Sequence, residues 1–164
     1  MIQAALEGRE SAVKTAPSVV AGFSDQHLGQ LNGHDTPMTA VVGQFDIGDQ
    51  RARGVLAGAG VLIQMQDTAI EALSGGQKAR LAMLVLRLKH PSFYLLDEPT
   101  NHSDIEGQEA LEEELITQGP SCVLVSHDRT FLRNVCNRFW WINGKNLEEV
   151  ESPEAFLSRT VEAK

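Results

Sequence analysis

Phe93-Tyr94-Leu95-Leu96-Asp97-Glu98-Pro99-Thr100-Asn101-His102 is the stretch that decides the fold. Four apolar residues end in two carboxylates, and a proline then disfavours simple continuation. A short apolar run of this kind is the mark of a strand covered on both faces of a parallel sheet. Acid groups at the carboxyl end of such a strand stand where open α/β folds bind their ligands. One carboxylate there can hold Mg²⁺, largely through water, while its neighbour accepts a proton from an attacking water. Pro99 disfavours helical geometry at Glu98, so the chain is expected to leave the strand extended, with Glu98 projecting into the site. A lone Asp-Glu at a strand end is more often a solvated turn.

Downstream, Cys122 to Ser126 is a second short apolar run, followed by His127 and Asp128. Between the two runs Ile105, Leu111, Leu115 and Ile116 form a helical stripe, with Glu106, Glu109, Glu112, Glu113 and Glu114 mostly on the wet side. Strand, helix and strand in that order make a right-handed crossover, which brings His127 to the sheet edge that carries Asp97 and Glu98. An imidazole there suits a terminal phosphate, although a histidine after a strand also serves as an ordinary cap. Ser126, His127 and Asp128 are not a hydrolase triad, because sequence neighbours do not converge on one point.

Upstream, Leu73-Ser74-Gly75-Gly76-Gln77 opens a helix whose Leu81, Leu84, Val85 and Leu88 share one face. A Ser-Gly-Gly turn leaves backbone amides available to phosphate oxygens at the positive helix end, and it equally describes a serine-capped helix start. From about Gly33 to His90 the pattern is helical. Thr36-Pro37 can open one helix and Asp49 to Leu56 form another, with Gly54, Gly58 and Gly60 punctuating a tight connection. Ser18 to Ser24 reads as a strand and Ile2 to Leu6 as a short helix. Asp128 to Cys136 reads as a helix, Phe139 to Val150 as a hairpin turning at Asn143-Gly144, and Pro153 to Lys164 as a closing helix.

Composition narrows the partners. The 164 residues carry 14 Lys+Arg against 22 Asp+Glu, a net charge of −8, which supplies no bulk basic footprint for nucleic acid or anionic lipid. No apolar run approaches a membrane span, and the start has no secretory pattern, so the expectation is a cytoplasmic chain without direct membrane contact. Cys122 and Cys136 read as buried small hydrophobes rather than a disulfide or zinc framework. The length predicts one main core with room for a satellite subdomain.

The three strings together resemble the nucleotide-binding domain of ATP-binding cassette (ABC) proteins. Residues 73–77 look like the signature, 93–99 like the Walker B strand and 125–128 like the histidine switch. Asp97 to His102 and Ser126 to Leu132 resemble the ABC-F subfamily, soluble ATPases with two cassettes in one chain that act on the ribosome. Gly22 to His27 is similar to the strand carrying that family's Q-loop, and Leu56 to Gly60 resembles a stretch of the second cassette's helical subdomain. The resemblance implies an α/β fold: a partial P-loop NTPase of ABC type, with a parallel sheet core and an inserted helical subdomain. It divides the chain into a remnant of the ATPase core at 1–32, a helical subdomain at 33–90 and the rest of the core at 91–164.

By the same resemblance the cofactors are ATP and Mg²⁺. Asp97 and Gln26 serve the metal, Glu98 is the catalytic carboxylate and His127 senses the γ-phosphate. Ser74, Gly75, Gly76 and Gln77 cap a nucleotide held by a partner cassette, and Asp104 is the aspartate of the D-loop. That family usually has leucine where Ser103 stands, which alters D-loop packing. The Gly-rich loop GxxxxGK followed by Ser or Thr is absent from the 164 residues; Gly43 to Gly48 imitates its spacing but leads into Asp49 and Gln50. Met1 to Gly8 resembles the helix that follows that loop, so the chain reads as starting just downstream of its own phosphate cradle. The implied function is ATP hydrolysis to ADP and phosphate in a parent protein, with the separate chain inactive. The alternatives are an interaction module that caps nucleotide on another cassette, and the ATPase subunit of a membrane transporter.

Overall fold

A computed structural model describes residues 18–24, 28–31, 33–101, 105–143 and 146–154. Three parallel strands, β1 (Ala21–Ser24), β2 (Phe93–Asp97) and β3 (Cys122–Val125), form a sheet in the order β1-β2-β3. The register pairs Phe23 with Leu95 and Leu95 with Val123, so β2 is the central strand. Leu95 and Leu96 are buried, as a strand with neighbours on both sides requires.

Among the described residues the same unit holds α1 (Pro37–Val42), α2 (Asp49–Gly58), α3 (Gly75–Leu88) and α4 (Ile105–Gln118). Their starts follow local chemistry. Thr36 caps α1 through a reciprocal box with Thr39, and Pro37 occupies the first turn, where its missing N–H costs nothing. Gly54, expected in a connection, lies inside α2, Gly58 is the last residue of α2, and Gly60, at φ +80°, makes the turn.

The helical core gathers Leu31, Met38, Val41, Leu56, Val61 and Ile70 around Leu81, Leu84 and Val85 of α3. Buried Gln66 ties this layer together. Its carboxamide donates to the carbonyls of Arg53 and Val61, each at 3.1 Å, and its main-chain carbonyl accepts from Met38 N at 2.9 Å. α3 is buried on a further side as well. Leu86 is 1% exposed and packs on β1 at Gly22, where a Cβ would stand 2.8 Å from its Cδ1. The absence of a side chain at Gly22 therefore sets how closely helix and sheet approach.

α4 departs from its expected stripe. Leu111 and Leu115 are buried, but Ile105 and Ile116 are 76% and 60% exposed. The two isoleucines fall outside the contact that α4 makes with α3, which is pinned by Arg87 and Glu114 at 2.7 Å.

A second compact unit begins at Ser126, so the contact boundary falls between Val125 and Ser126. It contains α5 (Arg129–Val135) and the antiparallel hairpin of β4 (Phe139–Asn143) and β5 (Asn146–Val150). Asp128 caps α5, accepting from Phe131 N at 3.0 Å, and Phe131 is fully buried. Asn143 pairs with Asn146, which puts Asn143 in the ladder rather than in the turn where the sequence placed it. The expected helix over 2–6 and almost all of the one over 153–164 lie outside the described residues.

Candidate functional site

The end of β2 is built by sheet pairing and by one unusual backbone angle. Asp97 pairs with Val125 and is half-buried at the carboxyl end of the central strand. The next amide, Glu98 N, continues the ladder by donating to Val125 O at 2.8 Å. Glu98 O then accepts from Asn101 N at 3.0 Å, closing a tight turn around buried Pro99. Bond and turn are reconciled by a Glu98 φ of +48°, so the expected extended exit is replaced by a left-handed one. Proline disfavours right-handed helical geometry at Glu98, and with the sheet bond in place the left-handed well makes the corner. For a residue other than glycine that geometry costs about 1 to 3 kcal/mol and collects at functional sites.

The signature turn is built as a helix start. Ser74, at φ −64° and ψ 161°, precedes α3, and its Oγ accepts from Gln77 N at 3.2 Å. Gln77 Oε1 in return accepts from Ser74 N at 2.9 Å, a complete capping box. The serine-cap reading thus describes the local geometry. It leaves Ser74 exposed, with buried Leu73 rooting the turn in the helical core. Gln77 Nε2 also donates to Met65 Sδ at 3.2 Å, a contact that no spacing rule announces.

His127 belongs to the second unit, is exposed and directly precedes the capping Asp128, whose amide donates to Ser126 Oγ at 3.0 Å. Gln26, Ser103 and Asp104 lie outside the described residues. Of the expected set, the structure brings Asp97 and Glu98 together at one strand end and Ser74, Gly75, Gly76 and Gln77 together at one helix start.

Among the described residues no three His, Cys, Asp or Glu side chains group closely enough to hold a metal alone. Mg²⁺ beside a nucleotide takes one or two carboxylates, several waters and the phosphates, so a single strand-end carboxylate such as Asp97 fits that demand. A groove of about 280 Å³ opens elsewhere, between α2, α3 and α4, and includes Gly60, Arg80, Arg87 and Glu114 but none of the motif residues. Beside it, burial raises the Tyr94 hydroxyl pKa above its usual value; Glu114 adds to the rise and Arg87 opposes it. Partial burial likewise pushes the Cys122 thiol up. Cys122 and Cys136 are both half-buried, short of the burial expected from the sequence.

A family profile described as ABC transporter matches residues 7–101, more than half of the chain and both the signature and Walker B strings. The chain belongs to the ABC transporter family. It is 35% identical over 130 residues to ATP-binding cassette sub-family F member 3 of Mus musculus, a match covering 79% of the chain and 18% of that relative. The chain thus spans about a fifth of the length of the relative it matches.

Two solved structures share the fold. The post-hydrolysis dimer of the ATP-binding cassette MJ0796 bound to ADP and Pi aligns with TM-score 0.58 at 22% identity, over 82% of this chain and 64% of that one. The archaeal ribosome recycling factor aABCE1, in complex with ribosomal stalk protein aP1, aligns with TM-score 0.64 at 19% identity, over 99% of this chain and 34% of that one. The α/β ABC-type architecture and the subfamily F likeness read from the sequence therefore stand. No helix among the described residues is long and apolar enough to cross a membrane.

Proposed function

We propose that this ABC nucleotide-binding domain supplies the γ-phosphate and capping machinery for hydrolysis of ATP to ADP and phosphate in a cytoplasmic, ribosome-associated ABC-F protein. The observation that carries the reading is the corner at Asp97-Glu98. Two adjacent carboxylates stand at the carboxyl end of the central parallel strand, and the second is held in a costly backbone geometry.

Asp97, with Gln26, would hold Mg²⁺, which when bound would supply charge neutralisation to the β- and γ-phosphates. Glu98 accepts the proton of the attacking water, and the left-handed turn fixes where its carboxylate leaves the strand. His127 meets the γ-phosphate through an imidazole hydrogen bond. Ser74, Gly75 and Gly76 cap a nucleotide seated on a partner cassette, with Gln77 completing the turn, and Asp104 lies in the loop between cassettes. The 164 residues contain no GxxxxGK string, so the phosphates have no lysine and no Gly-rich cradle within this chain. By itself the chain is therefore inactive, and hydrolysis belongs to the parent protein.

The exposed, pre-formed Ser74 turn supports association with a second cassette. Co-purification of this chain with a complete ABC cassette tests it. The expected result is capture that requires Mg-ATP and is lost in Ser74→Arg; absence of capture in every nucleotide state would contradict it. Ribosome association rests on the Asn101-His102 and Ser126 to Leu132 resemblances, and ATP-dependent sedimentation with ribosomes of a protein containing this chain checks it.

A further inference from the structure

We infer that Gln77 is a positioning residue rather than a nucleotide contact, tethered by Met65 so that the Ser74-Gly75-Gly76 turn is presented already formed. The inference rests on the reading that this turn caps a nucleotide on a partner cassette. It departs from the assignment of all four residues as ligands.

Both ends of the Gln77 carboxamide are engaged within its own subdomain. Oε1 accepts from Ser74 N at 2.9 Å, and Nε2 donates to Met65 Sδ at 3.2 Å. Its backbone N–H goes to Ser74 Oγ at 3.2 Å. A carboxamide has two donor hydrogens and one oxygen. Here the oxygen and one donor face inward to the turn and to a half-buried thioether. Ser74 Oγ accepts from Gln77, which orients the hydroxyl and leaves its proton to donate outward. A thioether is a weak acceptor, so Met65 contributes direction more than energy. Its hold is firm because Met65 sits in a short 3₁₀ turn, Ile63–Met65, that directly precedes the core residue Gln66. The tether thus runs from the fully buried Gln66 segment through Met65 and Gln77 to the exposed Ser74 hydroxyl.

The test uses the whole chain in two assays. In the first, amide NMR follows exchange of the Gln77 Nε2 protons. Protection in the native chain and its loss in Met65→Leu support the tether; exchange as fast as in an unfolded control overturns it. In the second, Mg-ATP-dependent association with a complete ABC cassette is measured for Gln77→Glu, Gln77→Ala and Met65→Leu. Glutamate keeps the capping acceptor, removes the donor to sulfur and adds a negative charge, so association is compared at an ionic strength that screens that charge, where it falls no more than about threefold, as in Met65→Leu. Combining Gln77→Glu with Met65→Leu adds nothing further, because both delete one bond. Gln77→Ala removes the box and loses at least about fivefold, the worth of a helix cap. Gln77→Glu as damaging as Gln77→Ala overturns the inference, since it means the carboxamide nitrogen is needed by the nucleotide. Ser74→Arg reports on the capping reading itself. If it leaves association intact, that reading fails while the NMR result still decides the tether.

Discussion

The amide of Glu98 donates to the carbonyl of Val125 at 2.8 Å, across the strand pair that carries Asp97, while its own φ is +48°. The sheet thus reaches one residue past the end of β2 and bends sharply there. Carboxylate placement and backbone strain are one feature of this corner.

Glu98→Gly should relieve that strain. Glycine enters the left-handed region without penalty, so urea unfolding is expected to show a gain of about 1 kcal/mol, less the added entropy of the unfolded chain. A clear loss of stability would mean that the Glu98 side chain holds the turn.

Gly22→Ala should destabilise the sheet unit. The new methyl would stand 2.8 Å from Leu86 Cδ1 and 2.9 Å from Pro91 Cγ. Leu86 can turn away but the proline ring cannot, and overpacking of this kind costs about 1 to 3 kcal/mol. Thermal unfolding checks it, and an unchanged midpoint would contradict the close approach.

Gln66→Met keeps the volume but takes the carboxamide donor from the Val61 carbonyl, and from the Arg53 carbonyl, which keeps its partner within α2. Buried acceptors left without partners cost about 1 to 3 kcal/mol, and the helical layer should loosen first. Hydrogen exchange in α1 and α2 is the readout; uniform exchange with no change in stability would remove Gln66 from its tying role.

The hairpin of the second unit predicts a pH response. Hydrogen bonding to Arg138 holds the Glu149 carboxyl below its usual value, and Trp140 adds to the effect. The folded pKa is depressed, so the pair's contribution is complete above the ordinary glutamate value of 4.5 and is lost as pH falls through the lower folded value. Carboxyl NMR should find Glu149 titrating below other exposed glutamates, and Arg138→Gln should return it upward. No change in Arg138→Gln would contradict the pairing.

Phe93 to Asp97 was legible to the residue because an apolar run met two acids and a proline. The starts of α1, α3 and α5 were legible because Thr36, Ser74 and Asp128 carry their own caps. Local periodicity could not tell that Ile105 and Ile116 would stay wet while Leu86 sank into the sheet, since it finds residues that share a face and not the face that meets a neighbour. The Gln66 and Met65 contacts depend on a loop folding back on a helix, which no short window encodes. Proline at 99 announced that Glu98 would leave the right-handed region. Only the pairing with Val125 selected the left-handed one.

Titration calorimetry of this chain with Mg-ATP, beside Asp97→Asn, tests the central claim most directly: the chain holds the γ-phosphate machinery of an ABC domain but lacks the cradle. No detectable binding is expected for either protein. Micromolar binding that Asp97→Asn abolishes would contradict it, because a working nucleotide site would then exist without a phosphate loop.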